Sequence, residues 1–328
     1  MRPESSSASS SAASQPVVGI DVAKKTLDCF IDSPAQRLSL SNDERGQADL
    51  VRHLVPLNVR LICIEATGRY HRRLAAELLD AGLPVTLVNP ARARDFARAG
   101  GKLEKTDRID AAMLAGFARS CPHRILQMPR PNQAELDDLV SRRRALVQMR
   151  VAETNRLADD LPKLARNQGR KLLRLIEQQI EDLDRAIARL IDSDDDWKNK
   201  SQIIDSVPGI GAGTAHQLIA DLPELGTLSR TEIAKLAGVA PLNHDSGQMR
   251  GKRSIGGGRS AVRTVLYMGA FNAIQHNHRF ADYAKHLLAK GKQYKVVVTA
   301  CMRKLLVILN QMIKTNSFWN EKLAFKQP

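Results

Sequence analysis

Cysteine is rare in this chain of 328 residues, with four copies: Cys29, Cys63, Cys121 and Cys301. None stands in a CxxC pair, so a zinc site or a disulfide framework is not expected, and a reducing compartment fits. Aromatic residues make up only 4%, which leaves base stacking a minor mode of recognition. No apolar run reaches the ~18 residues of a membrane span. The first 14 residues, MRPESSSASSSAAS, lack the apolar core of a signal peptide and read as part of a disordered leader. Acid is the scarcer charge. Against 50 Lys+Arg there are 35 Asp+Glu, for a formal net charge of +15, which points to nucleic acid or an anionic surface as partner. The excess is C-terminal: from Ser246 onward 15 basic residues meet 2 acidic ones.

Where acids do occur, their placement is informative. Val17 to Asp21 reads as a buried strand ending in an acid, and Leu27 to Ile31 and Gln36 to Leu40 continue it as an antiparallel meander. Gly46 to Pro56 has helical periodicity. Val59 to Glu65 is a further apolar strand ending in an acid, followed by a helix over Tyr70 to Ala81 and a strand over Pro84 to Val88. A helix is then expected over 102–119, with Thr106 as N-cap and Asp107 and Asp110 on one face of its first turn. An acid ending a buried strand is costly unless it is solvated, paired or metal-bound. Four converging carboxylates would repel one another, and divalent cations relieve that; all-oxygen ligation suits Mg²⁺ or Mn²⁺.

The middle of the chain is charged and Leu-rich. Leu136 to Met149 and Leu172 to Ile191 mark two amphipathic helices with a break around Pro162 to Gly169, a helical hairpin or coiled coil. Arg142-Arg143-Arg144 reads as a solvated helix face, with contact to a nucleic-acid backbone as the alternative. Further on, Val207-Pro208-Gly209-Ile210-Gly211 turns into a helix over Ala212 to Asp221. This resembles a helix-hairpin-helix element, whose free backbone N–H groups suit phosphate. Next comes His244-Asp245-Ser246-Gly247-Gln248-Met249-Arg250-Gly251-Lys252-Arg253. Adjacency does not make His244, Asp245 and Ser246 a triad, because neighbouring side chains in an extended loop point opposite ways. A serine among glycines and cations is well placed to meet a phosphate, although an isolated serine in a glycine-rich loop is usually structural. Helices over Ser260 to Ile274, Arg279 to Leu288 and Tyr294 to Lys314 complete the chain, with Arg259, Arg263, Lys290, Lys292, Lys295, Arg303 and Lys304 on a basic face.

The segments GIDVAKKTLD, CIEATGRYH, VNPARARDFA and KTDRIDAAMLA resemble the ribonuclease-H-like, RuvC-type catalytic domain of the DEDD transposases, the Piv/MooV-type recombinases of bacterial insertion sequences. GVAPLNHDSGQMRGKRSIGGGRSAVRTVLYMGA is similar to the C-terminal domain of the same family. The resemblance spans about residues 17–315. It implies a D-E-D-D tetrad at Asp21, Glu65, Asp107 and Asp110 that binds divalent metal, and a nucleophilic serine at Ser246, with Ser254 and Ser260 off-motif. It implies RNA-guided recombination or transposition, with donor and target DNA and a structured non-coding guide RNA (bridge or seeker RNA) as partners. It further implies a tetramer that pairs the tetrad of one subunit with the serine of another, in the bacterial cytoplasm at the nucleoid. Gly209, Gly211, Arg250, Lys252, Arg253, Arg259 and Arg263 are the expected nucleic-acid contacts.

The expected fold class is an α/β ribonuclease-H-like N-terminal domain, a helical coiled-coil middle and a mainly α C-terminal domain. The expected boundaries are a leader over 1–16, a catalytic domain over 17–128, the hairpin over 129–200 and the serine domain over 201–328. Two other functional classes remain open on the sequence: a structure-specific endonuclease using the tetrad alone, and a non-catalytic nucleic-acid-binding scaffold.

Overall fold

The computed structural model describes residues 15–66, 69–101, 111–128, 130, 132–243, 251 and 253–321. Asp107, Asp110, Ser246, Arg250 and Lys252 lie outside the described residues. The chain forms two compact units, 1–130 and 131–328.

The first unit is a mixed α/β layer. Strands β1 (Val17–Val22), β2 (Thr26–Asp32) and β3 (Ala35–Ser41) form the expected antiparallel meander, and β4 (Leu61–Glu65) and β5 (Val85–Val88) extend it in parallel on the other side of β1. The strand order is β3-β2-β1-β4-β5. Alternation assigns each strand's side chains to two faces. Val18, Ile20, Ile62 and Ile64 pack with Leu50 and Leu54 of α1 (Glu44–Leu54) and with Leu74 and Leu78 of α2 (Arg72–Asp80). Val17, Leu61 and Cys63 face the opposite way. They meet Ala93 of α3 (Pro90–Ala99) and Met113, Leu114 and Phe117 of α4 (Ala111–Ser120). Helix α3 is an addition to the sequence reading. Asn89 caps it, its side chain accepting from the Ala91 amide at 2.8 Å, and Pro90 takes its first turn.

Helix α4 is fixed at both ends. Near its start it lies so close to β1 that a Cβ on Gly19 would stand 1.9 Å from the Ala111 carbonyl oxygen and 2.5 Å from the Ala115 nitrogen. At its end, Arg119 Nε donates to Asp32 Oδ2 at 2.6 Å, while Asp32 Oδ1 accepts from the Val17 amide at 2.8 Å. Burial pushes the Asp32 carboxyl up, but the hydrogen bonds from Arg119 and Val17 outweigh it and hold the group below its ordinary value. A depressed carboxyl stabilises the fold above its unfolded-state pKa and loses that contribution as pH falls through the folded value. Arg119→Ala should therefore destabilise the chain at neutral pH by about 1 kcal/mol, the figure for a charge-assisted hydrogen bond discounted for partial exposure. The gap to wild type should close below the ordinary carboxylate range. Urea unfolding at pH 7 and pH 3 measures both, and a gap independent of pH would rule the ion pair out as its cause.

The second unit is helical. Helices α5 (Gln133–Leu157) and α6 (Lys163–Asp192) form an antiparallel hairpin whose seam holds Leu146, Ile176 and Ile180. The connection is shorter than the sequence suggests. Pro162 occupies the N-cap position of α6, where no backbone N–H is needed, and Gly169 lies within α6, facing Leu157 across the seam. The rest comprises α7 (Asp195–Asp205), α8 (Ala212–Asp221), α9 (Arg230–Ala237), the two-residue strands β6 (Pro241–Leu242) and β7 (Ser254–Ile255), α10 (Ser260–His276), α11 (His278–Ala289) and α12 (Tyr294–Lys314). Leu136 and Val140 of α5 and Ile187 and Ile191 of α6 belong to the same core as α7 to α12, so the hairpin base and the C-terminal helices share one interior. Arg143 and Arg144 are part of that join rather than a solvated face. Arg143 pairs with Asp184 on α6, and Arg144 donates to Asp221 at the end of α8 at 2.7 Å. Helix α12 has the length and mean hydropathy, 1.6, of a membrane span, although Arg303 and Lys304 interrupt its apolar run. Ten of its residues, including Cys301, Leu305 and Leu309, are buried in this unit, as in a core helix.

Candidate functional site

Strand register brings Asp21 and Glu65 together. Val17↔Leu61 through Ile20↔Ile64 are parallel partners, and the next residues on the two strands are Asp21 and Glu65. Gly19 faces α4, so Asp21, two residues on, faces the same side; Cys63 packs on that side too, and with it Glu65. Adjacent strands lie about 4.8 Å apart, which leaves the two carboxylates within reach of one cation. Glu65 is 6% exposed. Burial, and then the charge of Asp21, push its carboxyl above the ordinary value, with Arg94 of α3 opposing them. Two acids crowded in this way gain from a shared cation, and the donor set is all oxygen, as Mg²⁺ or Mn²⁺ prefers.

The other two tetrad positions, Asp107 and Asp110, precede α4 in the chain. Ala111, the first residue of α4 and the chain neighbour of Asp110, lines the same surface concavity as Asp21. Asp28 is absent from the sequence reading. It stands directly opposite Asp21 on β2 and directly opposite Ser39 on β3, so Ser39, Asp28, Asp21 and Glu65 form one row across four strands. The Ser39 hydroxyl donates to Asp28 Oδ1 at 2.7 Å. Alternation assigns Asp28 to one face of β2, but only the register shows that it opposes Asp21.

In the second unit, Ser246 lies in the connection between β6 and β7, whose antiparallel pairing, Pro241↔Ile255 and Leu242↔Ser254, joins the ends of that segment. Below the pairing, Gly258 (φ +59°) backs directly onto Gly238 (φ +71°); a Cβ on Gly258 would stand 2.4 Å from the Gly238 nitrogen. The Arg259 amide donates to Leu236 O at 2.9 Å. The Arg259 guanidinium bonds Glu224 twice, at 2.6 and 2.8 Å, and the Asp221 carbonyl at 3.1 Å. Arg263 donates to Gly257 O. Arg259 and Arg263, expected to meet nucleic acid, are thus engaged in holding the base of the β6–β7 segment. The donors of Arg259 are already committed to Glu224, which leaves few for a phosphate. Arg253 is exposed.

Gly209 and Gly211 differ. Gly209 (φ +89°) is pressed against α10, where a Cβ would stand 2.9 Å from Asn272 O. Gly211 is the N-cap of α8 with open space beside it and no capping side chain. Among the described residues there is no cluster of three or more metal-binding side chains.

Residues 18–165 match a family model described as a transposase, of the DEDD type found in IS110 elements, and residues 201–285 match the transposase IS116/IS110/IS902 family. The chain is 29% identical to a pilin gene-inverting protein of Moraxella bovis over 94% of its own length and 99% of the relative's. The same figures hold for the pilin gene-inverting protein of Moraxella lacunata. It is 23% identical to the transposase for insertion sequence element IS1111A of Coxiella burnetii, over 79% of this chain and 78% of that one.

Proposed function

As a member of the IS110 family of DEDD transposases and recombinases, this chain is an enzyme that acts on DNA, and we propose that it cleaves and rejoins DNA at a divalent-metal site held by Asp21, Glu65, Asp107 and Asp110, with Ser246 as nucleophile. One observation carries the reading: Asp21 and Glu65 end adjacent parallel strands on one face, beside the start of the helix that Asp107 and Asp110 lead into. The order β3-β2-β1-β4-β5, with an antiparallel meander and two added parallel strands, supports a ribonuclease-H-like, RuvC-type layer for the first unit. Bound Mg²⁺ or Mn²⁺ would stabilise the attacking and leaving oxygens of a phosphodiester displacement.

The residues themselves divide the work. Asp21 and Glu65, rigid on their strands, would hold the cations; α4, fixed by Gly19 and Arg119, follows Asp107 and Asp110 directly in the chain. The Ser246 hydroxyl attacks the scissile phosphorus, an O–P bond forms as the bond to the leaving sugar oxygen breaks, and the serine proton ends on that oxygen. The resulting phosphoserine diester keeps the bond, and a sugar hydroxyl of the second DNA reverses the step without ATP. The β6–β7 pairing and the Arg259–Glu224 pair hold the ends of the serine-bearing segment in place. Arg250, Lys252 and Arg253, with the α8 amides after Gly211, neutralise the DNA backbone.

A structured guide RNA that pairs with donor and target DNA selects the sites, leaving the protein to read backbone and shape. A tetramer that brings the tetrad of one subunit to the serine of another prevents cutting before assembly. Inversion of a DNA segment, the activity in the names of the two Moraxella relatives, is one outcome of such an exchange.

Denaturing electrophoresis with labelled DNA, Mg²⁺ and the RNA that copurifies tests the nucleophile. Wild type should give a shifted, protease-sensitive band that Ser246→Ala loses and Ser260→Ala keeps. A band persisting in Ser246→Ala moves the nucleophile elsewhere. Free nicked product without a band makes water the attacker.

A further inference from the structure

The concavity beside Asp21 extends away from the proposed metal site, across β2 to β3. It encloses about 390 Å³ and is lined by Asp21, Asp28, Arg37, Ser39 and Ala111, among others. Arg37 is directly opposite Phe30, and its guanidinium carbon lies 5.1 Å from the centre of the Phe30 ring. A ring face holds an arginine in place without consuming its N–H donors, so the planar fork stays available for a bidentate acceptor. Arg119, Arg143, Arg144 and Arg259 are all ion-paired. Arg37 has no carboxylate partner among the described residues. The arrangement is an exposed, oriented and uncommitted guanidinium in a hollow that ends at the candidate cleavage centre.

We propose that this concavity seats a phosphodiester of the DNA strand being cut, with Arg37 as its bidentate donor. The inference rests on the reading of Asp21 as part of the cleavage site. Arg37 lies two strands from Asp21, a lateral distance of ~10 Å, so within the reach of its side chain the contact falls on a phosphate near the scissile one and not on the scissile one itself. Asp28 gives the seat its sensitivity. Its carboxylate, held by the Ser39 hydroxyl, faces the same hollow and repels an anion there; Arg37 offsets it. Removing the arginine exposes the phosphate to Asp28 as well as losing the donors, and removing the Asp28 charge should tighten binding.

The test is DNA binding by the full-length protein with its copurifying RNA, over a series of salt concentrations. Arg37→Gln should bind about tenfold more weakly near physiological salt, with the slope of log K against log salt reduced by about one phosphate contact. Phe30→Leu, which keeps the charge but releases its orientation, should weaken binding less and leave the slope unchanged. Asp28→Asn should bind more tightly than wild type. Wild-type affinity and slope in Arg37→Gln would overturn the proposal, as would weaker binding by Asp28→Asn. The underlying cleavage reading fails separately, through undiminished cleavage by Asp21→Asn, and that outcome leaves the Arg37 slope free to report the phosphate contact.

Discussion

Replacing Asp21 with asparagine should reduce DNA strand cleavage by roughly 10³-fold or more while leaving DNA binding nearly intact. The magnitude reflects the several kcal/mol that metal ions contribute to a developing charge in such displacements, at tenfold in rate for each ~1.4 kcal/mol. The substitution is close to isosteric, so the strand persists. Asp21 also raises the proton affinity of Glu65 through its charge, and asparagine removes that repulsion, so the first unit should be no less stable than wild type. Glu65→Gln should behave alike, because the two side chains end neighbouring strands of one face. Loss of cleavage together with loss of fold would mark Asp21 as structural. Loss of cleavage with an unchanged unfolding midpoint places it in the chemistry.

Gly19→Ala should be strongly disruptive in the first unit. The added methyl would fall 1.9 Å from a backbone oxygen of α4 and 2.5 Å from a backbone nitrogen, and neither can move aside as a side chain could. Ordinary overpacking costs about 1–3 kcal/mol and occasionally more; a clash with two main-chain atoms of one helix belongs at the upper end, about 3 kcal/mol or above. The helix could relieve it only by lifting from β1. That would carry Ala111 away from the concavity beside Asp21. Gly19→Ala should therefore lose cleavage even at temperatures where circular dichroism finds the chain folded. A stable and fully active Gly19→Ala would show that α4 does not set the approach of the tetrad.

The strand-end acids are visible in the sequence because a carboxylate closing an apolar run is expensive, and that cost can be read from local pattern alone. Asp21 and Glu65 stand out for this reason. Asp28 does not, because only the register of β1 against β2 reveals which residue it opposes. Helix α3 carries its start signal in Asn89-Pro90, yet its arginine-rich body, PARARDFARA, buries only Ala93, so few apolar residues mark its inner face. The β6–β7 pairing is illegible, since two residues a side show no alternation. The arginines mislead for another reason. Arg143, Arg144 and Arg259 have the composition of a nucleic-acid surface, and their carboxylate partners lie 41, 77 and 35 residues away along the chain. Charge counting cannot see a partner at that distance. Arg250, Lys252 and Arg253 stand close together in the chain, with Asp245 as the nearest acid in the sequence.

The central claim is a divalent-cation site built on Asp21 and Glu65, and the most direct measurement is Mn²⁺ binding followed by electron paramagnetic resonance of the free ion. Wild-type protein should bind Mn²⁺, Mg²⁺ should compete for the same site, and Asp21→Asn and Glu65→Gln should each lose that binding with their unfolding curves unchanged. Mn²⁺ affinity in both variants equal to that of wild type would contradict the account.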